Sequence, residues 1–564
     1  MKKDIVILGI NVGENADHDI AHDGGACLMI GNKIVGAIAE ERISRKKYCG
    51  GYSNAVKHLL KQANISIEDV DIVAVSSYGC EARLENIGEL GFPEKCRIEL
   101  VPSHHLSHAC SAFYPSKYEK ALILVADNEG NILGPRVYGE MWKNSMERLS
   151  MYMGDGTNIE LLERDMDQED IISLGELYAN FTRFVGFKSY LNAGKTMALA
   201  SFGNPNTYND VKLIDLLEDG KLICPMRNDY WNSSKEIRRY FSLYGYNLPE
   251  QRDPSKESET GIWQDLAATV QYQLEEALLH KVRYWVNKTG CKSLCLAGGV
   301  ALNCVANRRL LDETPIERIY IQPNCGDQGQ SLGNVLYVWH SILNKVEQVE
   351  IPGAGVYLGG EYSQEECLNV IKEFNGKIKY HISTDTIDEV AQYLEKGKIV
   401  GWFQGRSEWG PRALGNRSIL ADPRMAQMRD YINSAVKHRE GFRPFAPVVP
   451  IEDASEYFDV SAPCPTMTIV AYTKKLANDM IPAVVHVDGT ARLQTVAEND
   501  NKKLYALLKR FAEYSGVPVL LNTSFNDNNE PIVETPFDAI RTFLRTKMDI
   551  VVIGDIVIEK NNIN

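Results

Sequence analysis

The chain has 564 residues, 44% of them hydrophobic, and its 61 Lys and Arg against 75 Asp and Glu give a net charge of −14. So acidic a surface repels polyanions, which argues against a protein that works by non-specific nucleic-acid contact, and the apolar content argues against disorder. The length is enough for two or more packed cores.

At the start, MKKDIVILGIN carries two lysines, but its apolar run is short, is interrupted by Asp4 and leads straight into polar sequence, unlike a secretory leader. Nowhere do about 18 apolar residues run together, the length a membrane-spanning helix needs. The twelve cysteines are scattered, Cys27, Cys295 and Cys304 inside apolar stretches, and no C-x-x-C occurs. That spacing argues against a zinc ribbon and a secreted disulfide framework, so a reduced, cytoplasmic protein without membrane attachment is expected.

DIVILGIN predicts a strand, and ACLMI and KIVGAIAEE two more, joined at Gly31-Asn32 by a hairpin signal. A helical pattern follows at SNAVKHLLKQA, then a strand at DIVAVSS. Strands return at ALILVAD, which ends in Asp127, at SLCLAGG and at RIYIQP. Strand–hairpin–helix units recurring in a second half predict an α/β fold, a duplicated domain with a cleft between its halves. The polar stretch from 341 to 356, with Pro352, Gly353 and Gly355, reads as a linker. Beyond it, positions 400 to 443 hold eight Lys or Arg against four Asp or Glu. These charges are interleaved with Gly, Pro and aromatics (GWFQGR, WGPRALGNR, FRPFAP) rather than spaced along a helix face, which describes loops wrapped round an anion.

Three groups of residues carry chemistry. In SHHLSHA, His104 and His108 are four apart and share one helix face, while His105 points elsewhere. With Asp127 at a strand end and Asp327 in PNCGDQGQ, they make a two-His, two-Asp set that suits iron(II), manganese or zinc. In LAGGVALNCVANRRL, Gly298-Gly299 lets backbone approach a ligand ahead of a helix N-terminus that favours phosphate, with Asn303 beside it. Gly194-Lys195-Thr196 imitates a P-loop, but the leading glycine's place is taken by Ser189, so a Walker A is rejected. Arg412, Lys437 and Arg443 offer charged forks to phosphate oxygens, and Arg492 and Asn522 complete that pocket from a later stretch.

HDGGA, RKK, SHHLSHA, LAGGVALN, the Asp327 loop, GWFQGRSEWGPRALGNRSILADPR, KHREGFRPFAP, LLNTSFN and EPIVETPFDAIRTF together resemble the O-carbamoyltransferase family of the NodU/TobZ type, over nearly the whole chain. The resemblance implies two domains. Residues 1–350 would form a duplicated actin/sugar-kinase-type α/β domain similar to the tRNA threonylcarbamoyl transferase, and 351–564 a YrdC-like α/β domain that makes carbamoyl adenylate. It implies iron(II) on His104, His108, Asp127 and Asp327. It implies carbamoyl phosphate and ATP, the latter with Mg2+, among Arg412, Lys437, Arg443, Arg492 and Asn522, and His22 and Lys47 at the transfer site, with His22 the candidate base. Where the family shows Asp-Gly after its strand, this chain has Asp127-Asn128-Glu129-Gly130. The least similar stretch, 150 to 260, is where the pocket for a small-molecule hydroxyl acceptor is expected. A homodimer is left open. The competing readings are a tRNA-modifying threonylcarbamoyl-type transferase, disfavoured by the acidic charge, and a non-catalytic nucleotide-binding protein.

Overall fold

The computed structural model describes residues 4–12, 22–76, 90–131, 146–166, 172–227, 232–250, 252 and 261–561. The leading lysines, Ser77 of DIVAVSS and parts of the 150–260 stretch lie outside them.

The first sheet consists of β1 (Val6–Asn11), β2 (Gly25–Ile30), β3 (Lys33–Ala39), β4 (Ile72–Ser76) and β5 (Arg97–Leu100), in the order β3-β2-β1-β4-β5. β1 to β3 form an antiparallel meander, and β4 and β5 run parallel to β1. The β2–β3 turn sits at Gly31, whose φ of +61° suits a residue without a Cβ. KIVGAIAEE is a strand only to Ala39; Glu40–Ser44 turns into a short helix. β1 is buried along its whole length and carries no polar side chain before Asn11, because both its faces are covered. The helix Ser53–Gln62 packs Ala55, Val56 and Leu59 on one face, and the helix Gln330–Tyr337 packs Leu332, Val335 and Leu336 on the other.

The second sheet repeats that topology. β6 (Lys120–Ala126), β7 (Glu147–Asp155) and β8 (Asn158–Met166) make the meander. After a small ribbon of β9 (Asp215–Leu216) and β10 (Leu222–Ile223), strands β11 (Ser293–Ala297) and β12 (Arg318–Ile321) join parallel to β6, giving β12-β11-β6-β7-β8. The helix His104–Ser116 covers one face through Ala109, Ala112 and Phe113, and the other face lies on Leu177, Phe181, Leu274 and Leu278. Two sheets of one topology in one stretch of chain make the expected duplication.

The rest of the chain builds β13 (Ile378–Ile382), β14 (Val400–Phe403), β15 (Arg417–Ala421) and β16 (Ala446–Pro450). It then forms a side sheet of β17 (Phe458–Asp459), β18 (Ala471–Thr473) and β19 (Thr490–Ala491). It returns through β20 (Gln494–Val496), β21 (Leu520–Ser524), β22 (Ile550–Ile553) and β23 (Ile556–Lys560). The large mixed sheet has the order β13-β23-β22-β14-β15-β21-β16-β20. The stretch read as a linker is fixed rather than loose. Glu350 hydrogen bonds along the β3 edge with Asn32 and Ile34, and Val349 and Ile351 pack on the core beneath it. Arginines tie the third sheet to the first. Arg42 donates to the Gly410 carbonyl at 2.8 Å, Arg45 to those of Pro531 and Ile532, and Arg406 to that of Val35.

Candidate active site

Two glycines bring the metal-ligand candidates together. A methyl at Gly9 would collide with the Ser331 carbonyl, and one at Gly333 with the Ser107 carbonyl, so the helix Gln330–Tyr337 lies backbone-close to both β1 and the helix His104–Ser116. Ser103 caps the latter helix by accepting from the Leu106 N–H. His104 and His108, one turn apart, therefore face the loop that precedes Gln330, and β6 delivers Asp127 from the other side. Nε2 of His108 lies 3.2 Å from Asp127 Oδ2 and 3.3 Å from Asp327 Oδ1; Nε2 of His104 lies 3.3 Å from Asp327 Oδ1 and 3.9 Å from Asp127 Oδ2. One donor atom from each of the four residues falls within 4.8 Å of the others. His105 turns away to Ser150 at 2.8 Å, and burial lowers its pKa to about 4.

Burial opposes every charge in this cluster, yet the groups hold one another ionised. The imidazoles keep both carboxyls well below their usual range, and the carboxylates raise both imidazoles. Asp127 Oδ2 is buried and accepts no well-aligned hydrogen bond among the described residues. Two imidazoles and two carboxylates converging in this way fit a divalent first-row cation of the iron(II), manganese or zinc kind. Gly298, with φ +86°, packs against the end of β6, and a methyl on Gly299 would stand 3.1 Å from Asp127 Oδ1, so the glycine pair clears space beside that ligand. Asn303 is used within the fold: it caps the helix Cys304–Glu313 through the Ala306 N–H and pairs with Gln271.

A cleft opens on this cluster, lined by His22, Asp127, Asn128, Glu129, Glu176, Arg183, Tyr190 and Asp327. Glu176, Arg183 and Tyr190 come from the stretch expected to hold the acceptor pocket. His22 Nδ1 lies 3.1 Å from Asp23 Oδ2. Burial pulls the imidazole pKa down, but the Asp23 hydrogen bond and charge, with Asp327 and Asp127 behind it, push it up to about 9.

The basic residues gather into a second site. Burial lowers the pKa of Arg412, Arg443 and Lys47, and takes that of Arg492 to about 9 with Arg412 and Arg443 pressing on it. The Nε atoms of Arg412 and Arg492 are buried with no hydrogen-bond partner among the described residues. Lys437 lies in the same cluster, well below its usual range through burial and the charges of Arg439, Arg443 and Lys47. Its ammonium is occupied, donating at 2.8 Å to the carbonyls of Ser524 and Asn526. Asn522 stands behind the Arg412 loop, donating to the Ala413 carbonyl and to Gln494, with its Oδ1 unmet. Sequence reasoning missed Arg439 and Lys195. Arg439 is held by Asn433 over the Phe445 ring, and Lys195 reaches Glu440 at 2.8 Å from the first two sheets. The alternation Lys437, Arg439, Gly441, Arg443 carried the signal for Arg439; nothing local connects Lys195 to position 440. The two sites adjoin. Gly410, two residues before Arg412, packs against Pro323 and Asn324, just before Asp327.

Family models of carbamoyltransferases match the chain in two blocks, the N-terminus model over residues 92–336 and the C-terminus model over 391–560. The nodulation protein NolNO of Sinorhizobium fredii is 34% identical over 99% of this chain and 83% of its own length. The chain belongs to the carbamoyltransferase family. As a member it is a carbamoyl-transferring enzyme, and the two blocks carry, respectively, the candidate metal-ligand cluster and the basic pocket. The family also includes a relative named 3'-hydroxymethylcephem-O-carbamoyltransferase, from Amycolatopsis lactamdurans, 29% identical over 66% of this chain and 65% of that protein. Among solved structures, the (R)-2-hydroxyglutaryl-CoA dehydratase component A of Acidaminococcus fermentans aligns with 59% of this chain and 97% of its own, at 15% identity and a TM-score of 0.34.

Proposed function

We propose that this carbamoyltransferase makes carbamoyl adenylate from ATP and carbamoyl phosphate in the basic pocket, then transfers the carbamoyl group to a hydroxyl of a small-molecule acceptor in the cleft beside His22. The observation that carries the reading is the pair of half-buried guanidiniums at Arg412 and Arg492, whose Nε atoms are buried and meet no hydrogen-bond partner among the described residues. Buried charges without partners cost several kcal/mol each, so such a pair is retained where an anion completes it. A charge-dense substrate such as carbamoyl phosphate or a nucleotide phosphate supplies that anion. The acceptor's type is supported by the relative named a cephem O-carbamoyltransferase and by the cleft, whose lining side chains are mostly polar.

In the first step water hydrolyses carbamoyl phosphate to carbamate and inorganic phosphate; a carbamate oxygen then bonds to the α-phosphorus of ATP, and the α–β bridging P–O bond breaks as pyrophosphate leaves. Arg412, Arg443 and Arg492 hold the anions in line and neutralise their repulsion, while Lys437 fixes the Ser524–Asn526 turn beneath them. In the second step the acceptor oxygen bonds to the carbamoyl carbon, AMP leaves, and the hydroxyl proton passes to His22. His104, His108, Asp127 and Asp327 would hold a divalent cation, which supplies Lewis-acid stabilisation of the adenylate phosphate. Against burial, Asp23 raises the His22 pKa most, and Asp327 and Asp127 add to it, so a cation held by those two carboxylates would weaken only part of that pull on the imidazole.

The direct experiment supplies the purified chain with ATP and carbamoyl phosphate, and measures pyrophosphate together with the mass gain of a carbamoyl group across a pool of hydroxylated metabolites. Pyrophosphate that depends on both substrates supports adenylation. Its absence, with carbamoylated product still formed, would mean that the chain uses carbamoyl phosphate directly.

A further inference from the structure

Asp23 occupies a costly conformation, and everything around it explains why. Its φ is +60°, a left-handed backbone that non-glycine residues adopt rarely, though Asp and Asn tolerate it better than others. The position is held from several sides. The Asp23 N–H donates to the Tyr48 carbonyl, and the Asp23 carbonyl accepts from Asn11 Nδ2 at 3.0 Å. The same Asn11 amide donates to the Asp327 carbonyl at 2.8 Å. On the side chain, Oδ1 accepts from Gln328 Nε2 at 2.7 Å, and Oδ2 faces His22 Nδ1 at 3.1 Å. Gln328 follows Asp327 directly. One carboxylate thus bridges the His22 imidazole and the loop that carries a metal-ligand candidate, while Asn11 locks the two backbones at the same spacing.

We infer that Asp23 is a positioning residue of the transfer step: it holds His22 in the Nδ1–H tautomer and fixes its distance from the Asp327 loop. A carboxylate opposite Nδ1 demands a proton on that nitrogen, so in the neutral ring Nε2 is the atom that carries none and can accept one. Gln328, gripping the other oxygen, keeps the carboxylate from rotating away. The role of His22 in transfer rests on the function proposed above; the tautomer assignment does not.

The test is the side-chain nitrogen spectrum of the full chain labelled with 15N-histidine, with Zn2+ added, recorded at a pH where His22 is neutral. His22→Gln assigns the signal. Wild type should show the Nδ1–H form. Asp23→Asn, which suits the left-handed backbone and should fold, should lose that form in favour of the Nε2–H ring, and Asp23→Glu should restore part of it. An Nδ1–H signal that persists in Asp23→Asn overturns the inference. Pyrophosphate release from ATP and carbamoyl phosphate, run on the same samples, should be equal in wild type and Asp23→Asn, because the basic pocket is untouched. Its loss in Asp23→Asn alone would show that Asp23 supports the fold generally and would also overturn the inference. Its absence in wild type would count against the proposed function and leave the tautomer result standing.

Discussion

Lys437 and Arg492 sit in one pocket and pay for burial differently. The Lys437 ammonium satisfies the Ser524 and Asn526 carbonyls, so Lys437→Ala strands buried acceptors and should destabilise the chain by about 2–4 kcal/mol, read as a lower urea midpoint. Arg492 has an unmet Nε in a field of like charge, so Arg492→Leu should leave stability equal or raise it by about 1 kcal/mol while abolishing pyrophosphate release. A lower melting temperature for Arg492→Leu would mean that the guanidinium is structural. At the metal-ligand cluster, His108→Ala removes the imidazole nearest Asp127 and should cost stoichiometric metal, measured on protein equilibrated with Fe2+ or Zn2+. Full occupancy in that variant would make the histidines structural.

Elements act by placing these residues. Gly333 lets the helix that follows Asp327 lie against the His104–Ser116 helix, so Gly333→Ala should drive the two apart. The expected result is a loss of roughly 1–3 kcal/mol in stability together with weakened metal binding; metal binding unchanged at lowered stability would uncouple that contact from the site. Glu408 organises the loop of Arg412: its Oε1 accepts the backbone N–H groups of Leu414, Asn416 and Arg417 at 2.7–3.1 Å. Glu408→Ala should raise the KM for carbamoyl phosphate and lower stability, and Glu408→Gln, which keeps an acceptor oxygen, should be milder. Much at this scale was legible in the sequence. Gly31-Asn32 marked the hairpin, the i, i+4 spacing marked the shared face of His104 and His108, and apolar runs marked the doubly covered strands. The pairing of Lys195 with Glu440 and the turn of Asn303 into the fold were not legible, because partners 245 and 32 residues apart are set by packing rather than by local pattern.

Across the whole molecule, the repeated sheet topology followed from the recurring strand–hairpin–helix pattern. The anchoring of 349–351 along β3 did not, since a polar, glycine-bearing stretch looks the same whether it dangles or lies on an edge. That anchoring and the Arg42, Arg45 and Arg406 contacts hold the third sheet, which carries the basic pocket, against the first. The division of labour between the two sites is the central claim, and a paired measurement on His104→Ala and Arg492→Ala tests it most directly. Each variant receives ATP, carbamoyl phosphate and a pool of hydroxylated metabolites, and both pyrophosphate and carbamoylated product are followed. His104→Ala should release pyrophosphate at near the wild-type rate and form no carbamoylated product, while Arg492→Ala should do neither. Equal loss of pyrophosphate in both variants would contradict the assignment of one step to each site.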